Sequence, residues 1–165
     1  MRRTIGIAFV AGAMALAAPA MAIMLQVGMP EMVNTSTDIV RASVVKMNSY
    51  WATDRHSIRT DVTIRVAETW KGSLGAAAPV TLTMQGGKVG DISEQVEDQP
   101  DLRPGQDVVL FMQAPATPAG TFRLTNDFQG HYIVQGNDVL SPQLEKMRLI
   151  DLRTKVQRLA ITPGH

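Results

Sequence analysis

Gly86-Gly87-Lys88-Val89-Gly90 sets a lysine among glycines, the composition of a loop that wraps phosphate in backbone N–H groups. A Walker loop also needs a glycine five positions before its Gly-Lys pair and a serine or threonine after it. Leu82 and Val89 stand at those positions, so a strand-end turn is expected instead. The acids Asp91, Glu94, Glu97, Asp98 and Asp101 supply oxygen ligands of the kind hard cations prefer, but their spacing matches no calcium loop. They read as a solvated, mobile loop. Met24, Met29 and Met32 could offer soft thioethers to Cu(I), yet methionine is a common core filler and is expected to serve that role here. His56, His131 and His165 lie far apart, with no His-Glu-x-x-His pattern, and each is expected at the surface. No Gly-x-Ser-x-Gly elbow provides a nucleophile.

What remains is recognition chemistry. Tyr50, Trp51 and His56 fall on a polar link between two expected strands, where solvent-facing aromatics would contact a partner or ligand. Packing over a barrel mouth is the alternative fate for them. Trp70 ends a strand and is expected as a core plug. Arg153, Lys155 and Arg158 lie opposite an apolar stripe on a C-terminal helix at about 151–159, a pattern that either meets an anionic membrane surface or docks onto the domain. A helix of that length needs tertiary contact to persist, so docking is expected.

The elements that must position these groups begin after a leader. Arg2 and Arg3, the uncharged stretch from Ile5 to Ala18 and then Ala20-Met21-Ala22 have the layout of a secretory signal peptide, with cleavage expected after Ala22. Removing 22 of the 165 residues leaves 143, one domain spanning 23–165. The full chain carries a net charge of +1; without the leader arginines, 14 bases face 15 acids. Such a balance excludes nucleic acid as a partner, because phosphate binding needs a concentrated positive field. Cysteine is absent, which excludes disulfides, a thiolate nucleophile and a lipid-bearing cysteine. The expected product is exported, periplasmic or extracellular, with no stable membrane anchor after cleavage.

Within the domain, a short docking helix is expected near Pro30 to Val33, then a strand from Asp38 to Asn48. Val62, Ile64 and Val66 alternate with polar residues, as do Val80, Leu82 and Met84, and each set predicts a strand with one buried face. Gly72 ends the first of these in a turn that most residues resist. Val108 to Met112 is apolar throughout and predicts a strand buried on both faces. Phe122–Phe128 and His131–Gln135 predict two further short strands around Gly130. The expected fold is mainly β: a small antiparallel OB-like barrel of five or six strands with short N- and C-terminal helices, or else a β-sandwich.

Asp38-Ile39-Val40, Asp61 through Gly72, Gly86 through Gly90 and Leu102 through Phe111 together resemble a group of exported bacterial proteins of unassigned activity, over most of residues 35–135. The order of strands is also similar to netrin-like and tissue-metalloproteinase-inhibitor-like domains. That similarity implies an OB-type barrel and a metalloprotease partner, gripped by an N-terminal cysteine that chelates zinc. Here the first residue after the leader would be Ile23 and no cysteine exists, so the inhibitory chemistry does not carry over even where the fold does. The function expected on these grounds is a non-enzymatic exported module binding a protein, in an inhibitor-like manner or otherwise, or a surface ligand, without a cofactor. A metal-assisted hydrolase using the 91–101 acids and a passive structural component of the envelope are the alternatives.

Overall fold

The computed structural model describes residues 27–96, 99–117 and 120–161. The leader with Ala20 and Ala22, and also Ile23, Met24, Glu97, Asp98 and His165, lie outside the described residues.

Helix α1 (Met29–Thr35) opens with Pro30 in its first turn and buries Met32 and Val33. Two long strands follow, β1 (Asp38–Trp51) and β2 (Ile58–Lys71), then β3 (Pro79–Gln85). A small separate hairpin is made by β4 (Gly87–Val89) and β5 (Ile92–Glu94). Next come β6 (Asp107–Gln113), β7 (Arg123–Leu124), a 3-10 turn (Asp127–Gly130), β8 (His131–Gln135), β9 (Asp138–Leu140) and β10 (Lys146–Arg148). The described chain ends in α2 (Leu149–Ile161).

The fold is mainly β, built on one large antiparallel sheet in the order β10-β9-β8-β6-β1-β2-β3, with β7 paired to β6. The sheet does not close into a barrel. Residues 122–124 reach from β6 to the far edge, where Phe122 meets Leu82 of β3 in a single parallel bridge. Its N–H donates to Thr81 O at 3.1 Å and its C=O accepts from Thr83 N at 2.9 Å. A two-residue β7 is too short to turn that stitch into a ladder, so the architecture has OB-like or sandwich character without full closure.

β6 explains why there are two cores. Val108, Leu110 and Met112 join Val40, Ala42, Val44, Val62, Ile64 and Leu82 on one side of the sheet. Val109 and Phe111 face the other way, against Met32 and Val33 of α1 and Leu152 and Val156 of α2. All five apolar residues of β6 are fully buried, as its unbroken apolar run implies. Trp70, expected as a core plug, is buried in the second core.

Several expectations need correction. β1 runs on to Trp51, so Tyr50 and Trp51 belong to a strand rather than to a link. The expected strand 122–128 shrinks to Arg123–Leu124, because Asn126 and Asp127 adopt positive φ of 50° and 51° and turn the chain into the 3-10 segment. The acidic stretch holds the β4–β5 hairpin at its start.

His131 is not a surface residue: only 7% of it is exposed, and its ring Nδ1 meets the carbonyl of Phe128. Burial pushes its pKa below the ordinary 6.5, against the opposing pull of that carbonyl. In the window between the ordinary and the lowered value the unfolded chain binds more protons, so stability falls as pH drops through it. His131→Asn keeps a donor near Nδ1 and cannot titrate. Its urea midpoint should change less than the wild type's between about pH 7.5 and about pH 5.5. An equally steep change in the variant would contradict this.

Candidate functional site

Alternation along β1 sends Val40, Ala42 and Val44 into the first core and leaves Ile39 and Arg41 on the helix-covered face. Arg41 stands opposite Glu68 of β2 in the β1–β2 register. Its Nε and Nη2 donate to Asp107 of β6, the latter at 2.6 Å, and its Nη1 donates to Glu68 Oε1 at 3.2 Å. Glu68 Oε2 accepts from the Trp70 indole N–H at 3.2 Å and pairs with Arg153 Nη1 of α2 at 3.1 Å. One carboxylate thus joins β1, β2 and α2. Burial works to raise the Glu68 pKa, but the Trp70 donor and the two arginines outweigh it and hold it below the ordinary 4.5. The hydrogen bond to Asp107 raises the pKa of Arg41, so Glu68 and Arg41 both stay charged.

These side chains wall a cleft of about 290 Å3 beside the start of α2. Arg41, Glu68 and Trp70 come from the sheet. Arg148, Leu149, Ile150 and Arg153 come from the end of β10 and the first turns of α2, and Asn137 from the β8–β9 turn. Asn137 also anchors the helix start, its carbonyl accepting the N–H of Leu149 at 2.9 Å.

Charge in the cleft is unbalanced. Three guanidinium groups line it against the single carboxylate of Glu68, with Asp107 behind Arg41 as a second. Arg148 makes no ion pair among the described residues. Its register partner across β9–β10, Asp138, is taken by Lys146 at 2.9 Å. Guanidinium forks bind carboxylate and phosphate oxygens in pairs, so this wall can hold an anion. The lining contains no serine, histidine or lysine to attack or to shuttle a proton.

The aromatic trio marked by the sequence does not converge. Tyr50 donates its hydroxyl to Asp61 Oδ1 at 3.1 Å, an oxygen that also accepts from Thr83 at 2.7 Å. Burial and the negative Asp61 raise the phenol pKa. Trp51, one residue on, is 39% exposed, and His56 lies in the following turn with its ring against the Asp54 carbonyl. A shallow depression of about 340 Å3 is lined by Tyr50, Ala52, Thr53, Asp54 and Arg59, without Trp51 or His56.

The acidic stretch disperses too. Glu94 accepts the backbone N–H of Ile58, Asp101 pairs with Arg103, and Asp91 is exposed. Among the described residues no three His, Asp or Glu side chains gather where a metal could sit. Met32 is buried and Met29 packs against the second core. On α2, Leu152 and Val156 are fully buried while Arg153 reaches Glu68, so the helix docks on the sheet. No helix among the described residues is long and apolar enough to cross a membrane.

Sequence reasoning passed over Arg41, Glu68 and Arg148. The signal available was a lone arginine inside the β-branched run of β1, a charge that a half-buried strand keeps only where it finds partners. No protein-family model matches the chain, and a search of curated proteins finds no match.

Proposed function

We propose that the chain is a non-enzymatic binding module, exported to the periplasm or the cell exterior, that recognises a protein or surface ligand through the cleft between the sheet and α2. One observation carries this reading: three arginines share a preformed cavity with only one carboxylate in its wall, and Arg148 makes no ion pair among the described residues. A structural ion-pair network would pin α2 with Glu68, Arg41 and Arg153 alone; Arg148 adds nothing to it. The leader-like segment ending at Ala22 supports export, and the resemblance to exported bacterial proteins of unassigned activity agrees with it.

The test is site-specific photocrosslinking in the native exported fraction, with benzoylphenylalanine placed at Ile150 on the cleft lip. Ile150 is 56% exposed, and Ile92 on the β4–β5 hairpin, 55% exposed, is the control. A discrete adduct from position 150 and none from 92 is expected. Equal labelling from both positions, or none from 150, would overturn the reading.

A further inference from the structure

We propose that the cleft takes an oxyanion, carboxylate or phosphate, carried on a small apolar body. This deepens the binding-module reading and rests on it. The anion half follows from the charges: Asp107 and Glu68 occupy Arg41, Glu68 holds one Nη of Arg153, and among the described residues Arg148 together with the remaining donors of Arg153 meets no further carboxylate. Arg148 is exposed, so its hold on an anion comes from paired guanidinium hydrogen bonds rather than from burial. The apolar half follows from the rest of the lining. Trp70, 6% exposed, and half-buried Leu149 offer hydrocarbon surface, and Ile150 projects at the lip. At about 290 Å3 the cavity has room for more than a bare oxyanion and falls just below the range of drug-sized pockets, roughly 300–1,000 Å3. A ligand with its charged and greasy parts joined by one or two bonds matches both halves at once.

The experiment is an amide NMR titration of the labelled protein with three probes: isocaproate, its neutral amide isocaproamide, and inorganic phosphate. Isocaproate is expected to shift the signals of Asn137 and residues 148–153 saturably. Isocaproamide should bind about tenfold more weakly or not at all, as loss of a charge-assisted pair implies. Phosphate reaching the same signals with lower affinity than isocaproate would assign the added affinity to the apolar body; phosphate binding more tightly than isocaproate would overturn the apolar half of the proposal. Arg148→Ala should weaken isocaproate about tenfold with an unchanged melting temperature, because that side chain makes no ion pair among the described residues. Equal binding of acid and amide, or shifts elsewhere in the domain, would overturn the proposal. An adduct at Ile150 without isocaproate or phosphate binding would leave the binding module standing and reject this ligand class; absence of both rejects the two together.

Discussion

Phe111→Ala should lower the unfolding free energy by about 3–5 kcal/mol, a large share of the 5–15 kcal/mol typical of a domain. Phe111 is fully buried and packs its ring 5.7 Å from that of Tyr132. It belongs to the face of β6 that meets α1 and α2, in the same cluster as Trp70 and Leu152. Truncation removes the hydrocarbon that holds the helices to the sheet and leaves a cavity that a strand buried on both faces cannot close by shifting. In urea the midpoint should fall by about 2 M, given slopes of roughly 1–3 kcal/mol per M. Val45→Ala is the matched control: Val45 is 43% exposed at a bulge of β1 and should change stability by no more than about 0.5 kcal/mol. A Phe111→Ala protein as stable as the Val45→Ala protein would mean that the second core does not exist as described.

Gly72→Ala is expected to cost roughly 2–4 kcal/mol for two separate reasons. Gly72 has φ +95°, a conformation that side chains strain to adopt, and a Cβ there would lie 2.1 Å from Asp38 Oδ1 and 3.0 Å from the carbonyl of Thr37. Asp38 cannot simply swing away, since it is itself buried and accepts the N–H of Ser73 at 3.2 Å. The double variant Gly72→Ala with Asp38→Ala separates the causes. Relief of the clash makes its loss smaller than the sum of the two single losses, while the backbone strain persists. Strict additivity in urea unfolding would contradict the close approach of β1 to the β2 turn.

The glycine of that turn was visible in the sequence because Trp70-Lys71-Gly72 ends a clean alternation. Val62, Ile64 and Val66, and the continuous apolar run of β6, were equally plain, since period two and two-sided burial write themselves into residue type. β1 was harder. Its register against β2 slips between Val44 and Lys46, so the inward set passes from Val44 to Met47 and alternation breaks without any change of strand. After that slip alternation alone ends the strand at Asn48 and leaves Tyr50 on a link, although Tyr50 is held to Asp61 across the pair. β4, β5, β9 and β10 have three residues each, too few for a period to show.

The cleft had no local signature at all. Arg41, Glu68, Asn137, Arg148 and Arg153 are spread over more than a hundred positions and meet only because β1 and β2 pair while α2 crosses their outer face. Leu152, Val156 and Leu159 mark the helix and its basic side is legible, but spacing alone does not say that Arg153 meets the half-buried carboxylate of Glu68. Tyr50, Trp51 and His56 stand out because rings beside a turn are locally conspicuous in a sequence. Their separation follows from strand alternation at Tyr50 and Trp51 and from the Asp54 turn that holds His56.

Hydrogen–deuterium exchange of the protein, free and bound to the partner captured by the Ile150 crosslink, weighs the cleft against the connection between β1 and β2 directly. Protection at Asn137 and across residues 148–153, with residues 50–57 unchanged, is the predicted result. Protection confined to residues 50–57, with the start of α2 exchanging as in the free protein, would contradict recognition through the arginine cleft.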